Sequence, residues 1–297
     1  MAGQPATGPV VVEVDGSSEG LRVIDFACTE AIRAGAGLTL VAAHQGSEAV
    51  TGGVGQPSAE RAGEFLRVAV AHVRRQVGTA LDVTVVCQAG ARVKVLSASA
   101  RGACALVIGR PRHRGPERLI AARSNLLLAR RSECPLIVVP GSWKLAPSRR
   151  DVAVGVDGTA LSSEAVGYAF RAAAARGGNL IAVHAAPRLS APDGLWVRKA
   201  ELELAEVLGR WAADYPAVKV TRYLTCRPVV AALLHKSREM SLVVLGAHAG
   251  LLPIGDPITR RAMAVVDGPV AIVPHRPVAV KRPTEARPVD DVVTTVI

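Results

Sequence analysis

The chain has 297 residues, 36 Lys and Arg against 25 Asp and Glu, a net charge of +11, 49% hydrophobic residues and 3% aromatics. That length suits one large domain or two of ordinary size, and the apolar content excludes a disordered chain, which could not bury enough surface to offset its ordering entropy. Apolar runs such as 104–108 fall far short of the ~20 residues that span a bilayer, and residues 1–9 carry neither the basic nor the apolar region of a secretory signal, so a soluble, cytoplasmic protein is expected.

In chain order, short runs rich in Val, Ile and Leu alternate with longer amphipathic stretches. The run 10–14 leads into Asp15-Gly16-Ser17-Ser18, and the run 38–43 ends in His44. Residues 60–77 place Phe65, Val68, Ala69, His72, Val73 and Gln76 at helical spacing. The run 105–108 ends in Gly109, followed by a basic loop and a helix that carries Ser124 and ends in Arg130 and Arg131. A run from Pro135 to Val139 closes this part, and 141–150, built of Gly, Pro, Ser and basic residues, reads as a linker.

The order then repeats. Val152-Ala153-Val154-Gly155-Val156-Asp157-Gly158-Thr159 matches the opening segment, and 180–183 ends in His184. Residues 195–211 place Leu202, Ala205, Leu208 and Trp211 at helical spacing. The run 242–245 ends in Gly246, and the last run goes from Pro269 to Val273. Two copies with small loop deletions explain this, at a period far longer than that of a solenoid repeat. Each copy reads β-α-β-α-β-α-β-α-β, and its non-alternating apolar runs suit parallel strands covered on both faces by helices. The expected domains are 9–140 and 151–274, with 275–297 a loose, flexible tail.

The charge is local. Residues 101–150 hold eleven Lys and Arg and two acids, a net +9, and the remaining 247 residues share +2. This block suits a solvated face, an anion contact or a partner surface. Nucleic acid is disfavoured, because there is no zinc-finger spacing and no set of aromatics for stacking bases. The five cysteines are widely spaced with no CxxC pair, which argues against a disulfide framework or structural zinc, and they read as small core residues.

Ligands of an open parallel sheet bind beyond the carboxyl ends of its strands. Three features fall there. Asp15 and Asp157 start Asp-Gly turns that serve either as a turn with a helix cap or as a ligand carboxylate. His44 and His184 end the second strands and lack an evident catalytic partner, so packing roles are expected. The loops after Gly109 and Gly246 could wrap a phosphate with backbone N–H groups.

This ordered set, V-x-V-D-G-[ST] at the start, Gly after the fourth strand and Cys/Gly-Pro before the last, resembles the universal stress protein family in its tandem, actinobacterial form. The resemblance implies two Rossmann-like α/β/α domains of the adenine nucleotide alpha hydrolase type, each a five-stranded, mostly parallel sheet. It also implies antiparallel pairing of the edge strands 135–139 and 269–273, which would cover two apolar edges, a regulatory or binding role rather than an enzyme, and no membrane. A homo-oligomer is compatible with it.

Many members bind ATP through G-x2-G-x9-G-[ST] after the fourth strand, assisted by the first-strand Asp. Here Gly109 matches the first glycine, Arg112 replaces the second, and Ala122-Arg123 stand at the end unless one residue is inserted and Ser124 serves. In the second copy Gly246 matches, Ala249 replaces the second glycine, and Gly255-Asp256 follow after a shortened spacer. The first copy gains Arg110, Arg112, Arg114 and Arg118, whose guanidinium forks suit phosphate. The implied ligand residues are Asp15, Gly109, Arg110, Arg112 and Ser124 for ATP or another phosphate ligand in the first copy. Asp157, Gly246 and Gly255 would be relics or plain turn residues in the second, where Asp256 opposes an anion. The rival reading is a nucleotide-consuming enzyme on a related fold, or a ligand-free stress protein that acts through its surface.

Overall fold

Each apolar run becomes a strand, and each amphipathic stretch a helix, in the computed structural model. The first half contains β1 (Val10–Glu13), α1 (Gly20–Ala34), β2 (Leu38–His44), α2 (Ala59–Val77), β3 (Val83–Ala89), α3 (Arg92–Ser99), β4 (Ala105–Gly109), α4 (Pro116–Arg131) and β5 (Leu136–Val139). The second repeats the series as β6 (Val152–Val156), α5 (Ser163–Arg176), β7 (Leu180–Ala185), α6 (Gly194–Ala212), β8 (Val220–Thr225), α7 (Val229–Ser237), β9 (Leu242–Ala247), α8 (Pro257–Val265) and β10 (Val270–Pro274). The structure describes residues 8–45, 56–110, 116–157, 162–185, 194–225, 227–247 and 257–275, with backbone alone at 116–123, 194–196, 257 and 259. The proposed tail, apart from His275, lies outside them, as does Cys226.

The strands form one ten-stranded sheet in the order β3-β2-β1-β4-β5-β10-β9-β6-β7-β8. Within each half all neighbours are parallel. The halves join where β5 meets β10 antiparallel, with Ile137 opposite Ala271. Both residues are fully buried, so what would be the apolar edge of each half becomes the middle of the sheet, where its backbone groups are paired.

Successive strand residues feed two cores, as the pleat requires. Val10 and Val12 join Ile24, Phe26 and Leu66 under α1 and α2, and the same core runs on to Phe170 and Leu204. Val11 joins Leu96 and Leu128 under α3 and α4, continuing to Leu233 and Ala262. The helical stripes hold at Ala69, His72, Val73, Leu208 and Trp211, which are buried as expected, and differ at two positions. Val68 and Leu202 face solvent, while Leu66 and Leu204 are buried. Cys28 and Cys134 are buried as expected, but Cys87 is exposed because β3 is an outer edge with few neighbours.

Contacts between the halves reach beyond the sheet. On one face, Arg176 of α5 donates to Glu30 of α1 at 2.6 Å, and Arg33 shares the same carboxylate at 2.9 Å. On the other face, Arg110 Nη1 donates to the carbonyl of Val266 at 2.7 Å, just past α8. The segment 141–150 is also anchored: Trp143 packs edge-on against Phe26 with ring centroids 5.3 Å apart, and Arg22 donates to the carbonyl of Gly141.

Candidate functional site

The switch points of the sheet lie between β1 and β4 and between β6 and β9. From β1 the chain turns to α1 on one face, and from β4 to α4 on the other, so a crevice opens between the two strand ends. Asp15, just past β1, and Gly109, the last residue of β4, both stand at these neighbouring strand ends, as Asp157 and Gly246 do at the ends of β6 and β9.

Asp15 organises its own turn. Its Oδ1 accepts from the Ser17 N–H at 2.9 Å and the Ser17 hydroxyl at 2.7 Å. Ser17 Oγ in turn accepts from the Gly20 N–H at 3.0 Å, satisfying a donor at the start of α1. Gly16 has φ of +73°, and a Cβ there would stand 2.3 Å from the Phe65 ring. The turn-and-cap reading of Asp-Gly-Ser therefore describes its local contacts, and the carboxylate still stands exposed at the strand end.

Gly109 differs from Gly16. Its φ is not in the left-handed region, and a Cβ would meet only Val23 Cγ2 at 3.4 Å. At Gly246 the nearest atom would be Ala165 Cβ at 3.7 Å. The packing of the described residues requires neither glycine.

Helix α4 carries Ser124, as expected, and starts at Pro116, which places Ser124 in mid-helix. With the loop glycines replaced by Arg112 and Ala122, nothing between 116 and 123 stops helix propagation, and proline favours the first helical position. Its counterpart α8 starts at Pro257 and has 9 residues against 16.

Two of the expected ligand residues are committed elsewhere. Arg110 crosses to the carbonyls at the end of α8, where a cation complements the helix dipole. Ser124 Oγ accepts from Arg92 Nη1 at 3.1 Å, and Asn125 Oδ1 accepts from the same nitrogen at 3.1 Å. Arg112 and Gly255 lie outside the described residues, as do Arg114, Ala249 and Asp256 and the side chains of Arg118 and Arg123. Of the rest of the basic block, Arg101, Arg130, Arg131, Lys144, Arg149 and Arg150 are exposed.

Arg92, which sequence reasoning missed, is the strongest polar feature of the crevice. As first residue of α3 it grips Glu13, the last residue of β1, through two nitrogens, one of them at 2.6 Å from Glu13 Oε2. Burial works against its charge, but the charge and hydrogen bonds of Glu13, with Asp15 beyond, more than offset this and hold the guanidinium above its ordinary pKa. The second half has neither partner. Its matching positions are Gly155, which shares the strand register of Glu13, and Val229, the first residue of α7. A Cβ at Gly155 would lie 2.7 Å from Leu245 and 3.7 Å from Val229, so apolar packing fills that space.

Three histidines have defined partners. His184 Nδ1 lies 2.9 Å from the Val156 carbonyl, and His44 Nδ1 lies 2.8 Å from that of Gln45. His72 Nε2 meets Asp25 Oδ1 at 2.6 Å, tying α2 to α1. Among the described residues, no group of three or more His, Cys, Asp or Glu could hold a metal ion. No described helix is long and apolar enough to cross a membrane.

A parallel α/β unit with its switch point between β1 and β4, used twice in one sheet, defines a tandem Rossmann-like fold. The sequence profile of the universal stress protein family matches residues 7–140 and 148–274, and the chain belongs to that family. A universal stress protein of Mycobacterium tuberculosis is 37% identical over 166 residues, covering 53% of this chain and 52% of that one. A second from the same species is 31% identical over 168 residues, covering 52% and 56%. The chain's match thus spans about half the length of these relatives. The crystal structure of a universal stress protein from Archaeoglobus fulgidus superposes with a TM-score of 0.65 at 15% identity, over 89% of this chain and 96% of that one, which establishes the shared fold.

Proposed function

We propose that this chain is a cytoplasmic, non-catalytic stress-response regulator whose first half holds an adenine nucleotide, such as ATP, or another phosphate-bearing ligand. The second half is its structural partner. The observation that carries this reading is the placement of Asp15 and Gly109 at the ends of the paired strands β1 and β4, the switch point, with a glycine that the packing of the described residues does not require. Base and sugar would approach over Gly109 beside Asp15, and the phosphates would lie toward α4. Because α4 is helical from Pro116, the segment 116–122 offers no loop backbone to the phosphates, and arginine side chains of the basic block would take a larger share of that contact. Asp157 and Gly246 remain in the second half as turn and strand-end residues, with Asp157 accepting from the Ser162 hydroxyl.

Calorimetric titration of the whole chain with ATP tests this. Saturable binding without steady phosphate release supports the reading. Steady release above a buffer blank contradicts the non-catalytic role, and absence of binding contradicts the ligand.

A second reading is a ligand-free protein that acts through its surface. It is favoured by the commitment of Arg110 to α8 and of Ser124 to Arg92.

A further inference from the structure

We infer that Arg92, Ser124 and Asn125 form the anion subsite of the first half, and that Glu13 is its resident occupant, a carboxylate that an incoming phosphate must displace. This rests on the proposed ligand and adds how the site selects it.

The placement comes first. Glu13 is the last residue of β1, two positions before Asp15, so the pair sits at the carboxyl end of that strand, beside the switch point. Arg92 brings its guanidinium there from α3, and α4 supplies Ser124 and Asn125. The side chains are 26% and 12% exposed for Arg92 and Glu13, so the pair borders solvent rather than lying sealed in the core.

The chemistry comes second. Glu13 presents two oxygens to two guanidinium nitrogens, the geometry that phosphate oxygens also adopt on arginine. The remaining nitrogen, Nη1, donates to Ser124 Oγ, which leaves the hydroxyl proton to donate elsewhere. Removing Glu13 would leave a partly buried cation with two polar side chains, Ser124 and Asn125, around it, an arrangement that attracts an anion.

The internal comparison comes third. The second half replaces both members of the pair together, with Gly155 and Val229, and packs the space with Leu245. The charge pair is therefore not a requirement of this fold at that position.

The test uses the full chain with Glu13→Gln, Arg92→Gln and the double variant, titrated with ATP and with inorganic phosphate. Glu13→Gln should bind ATP roughly tenfold tighter than wild type, the worth of one charge-assisted hydrogen bond, and the double variant should lose the gain. Equal ATP affinity in wild type and Glu13→Gln overturns the inference, as does a gain that survives Arg92→Gln. If Glu13→Gln does not fold, the Arg92 Nε–H resonance of wild-type protein is followed by NMR as phosphate is added. A saturable shift supports the subsite, and an unmoved resonance overturns it. The two proposals fail separately. Wild-type ATP binding that Glu13→Gln leaves unchanged refutes the subsite alone. Phosphate binding gained in Glu13→Gln without any ATP binding by wild type refutes the nucleotide reading alone.

Discussion

Arg176 of α5 and Glu30 of α1 meet across the junction of the two halves at 2.6 Å, with the Arg176 side chain 2% exposed. The second Arg176 nitrogen donates to the Ala172 carbonyl at 3.0 Å. Glu30→Ala would strand this guanidinium in a site that water does not reach. The expected cost is about 3–5 kcal/mol, the range for breaking a buried ion pair from one side. Replacing both residues, Glu30→Leu with Arg176→Met, should recover most of it. Urea denaturation of the single and double variants measures the difference.

The strand junction gives a second prediction. Ala271 faces Ile137 in the three-pair ladder between β10 and β5. Ala271→Pro removes a ladder donor and forces the ring into the centre of a sheet, which should cost about 3 kcal/mol or more. Gel filtration should then show self-association, since β5 and β10 would present apolar edges. A variant that stays monodisperse and as stable as wild type would refute this role for the junction.

Two alanine substitutions separate local need from ligand access. Gly16→Ala meets both a positive φ and the Phe65 ring, and should lose about 1–3 kcal/mol. Gly109→Ala meets only Val23 in ordinary contact, and its stability should change by less than about 1 kcal/mol. It should nevertheless weaken ATP binding, because the new methyl stands where the ligand approaches. Thermal melts beside ATP titrations of both variants check the split.

How much of this was legible in the sequence follows from the range of each interaction. Strands such as β1 and β4 are continuous apolar runs, so their existence and their repetition could be read directly. The register of Glu13 and the position of Arg92 could not, because the two residues lie 79 apart and meet only through the tertiary fold. One signal was available: Glu13 stands where the repeat has Gly155, an acid inside an otherwise apolar strand. Pro116 likewise marked an earlier start for α4 than the family's loop spacing implied. Arg110 was read from its neighbours as a phosphate ligand, but its partner is a helix end 154–156 residues away in the other half.

Thiol chemistry offers an independent check of burial. Burial, with Asp25 adding, pushes the Cys28 thiol up to about 11, and burial, with Cys134 adding, does the same for Cys104. At pH 8 about one in a thousand of these thiols is ionised, and their reactivity should rise about tenfold per pH unit toward 11. Cys87 is exposed on β3 and should react first. In a Cys226→Ser background, a disulfide reagent at pH 8 should therefore modify one thiol quickly. Two fast thiols would contradict the burial of Cys28 and Cys134 or the raised pKa of the partly buried Cys104.

The most direct measurement is the stoichiometry of ATP binding in wild type, Asp15→Ala and Asp157→Ala, by titration of the full chain. One nucleotide per chain, lost or greatly weakened in Asp15→Ala and retained in Asp157→Ala, is the predicted result. Two nucleotides per chain, or a single one that survives Asp15→Ala and disappears in Asp157→Ala, would contradict the assignment of the ligand to the first half.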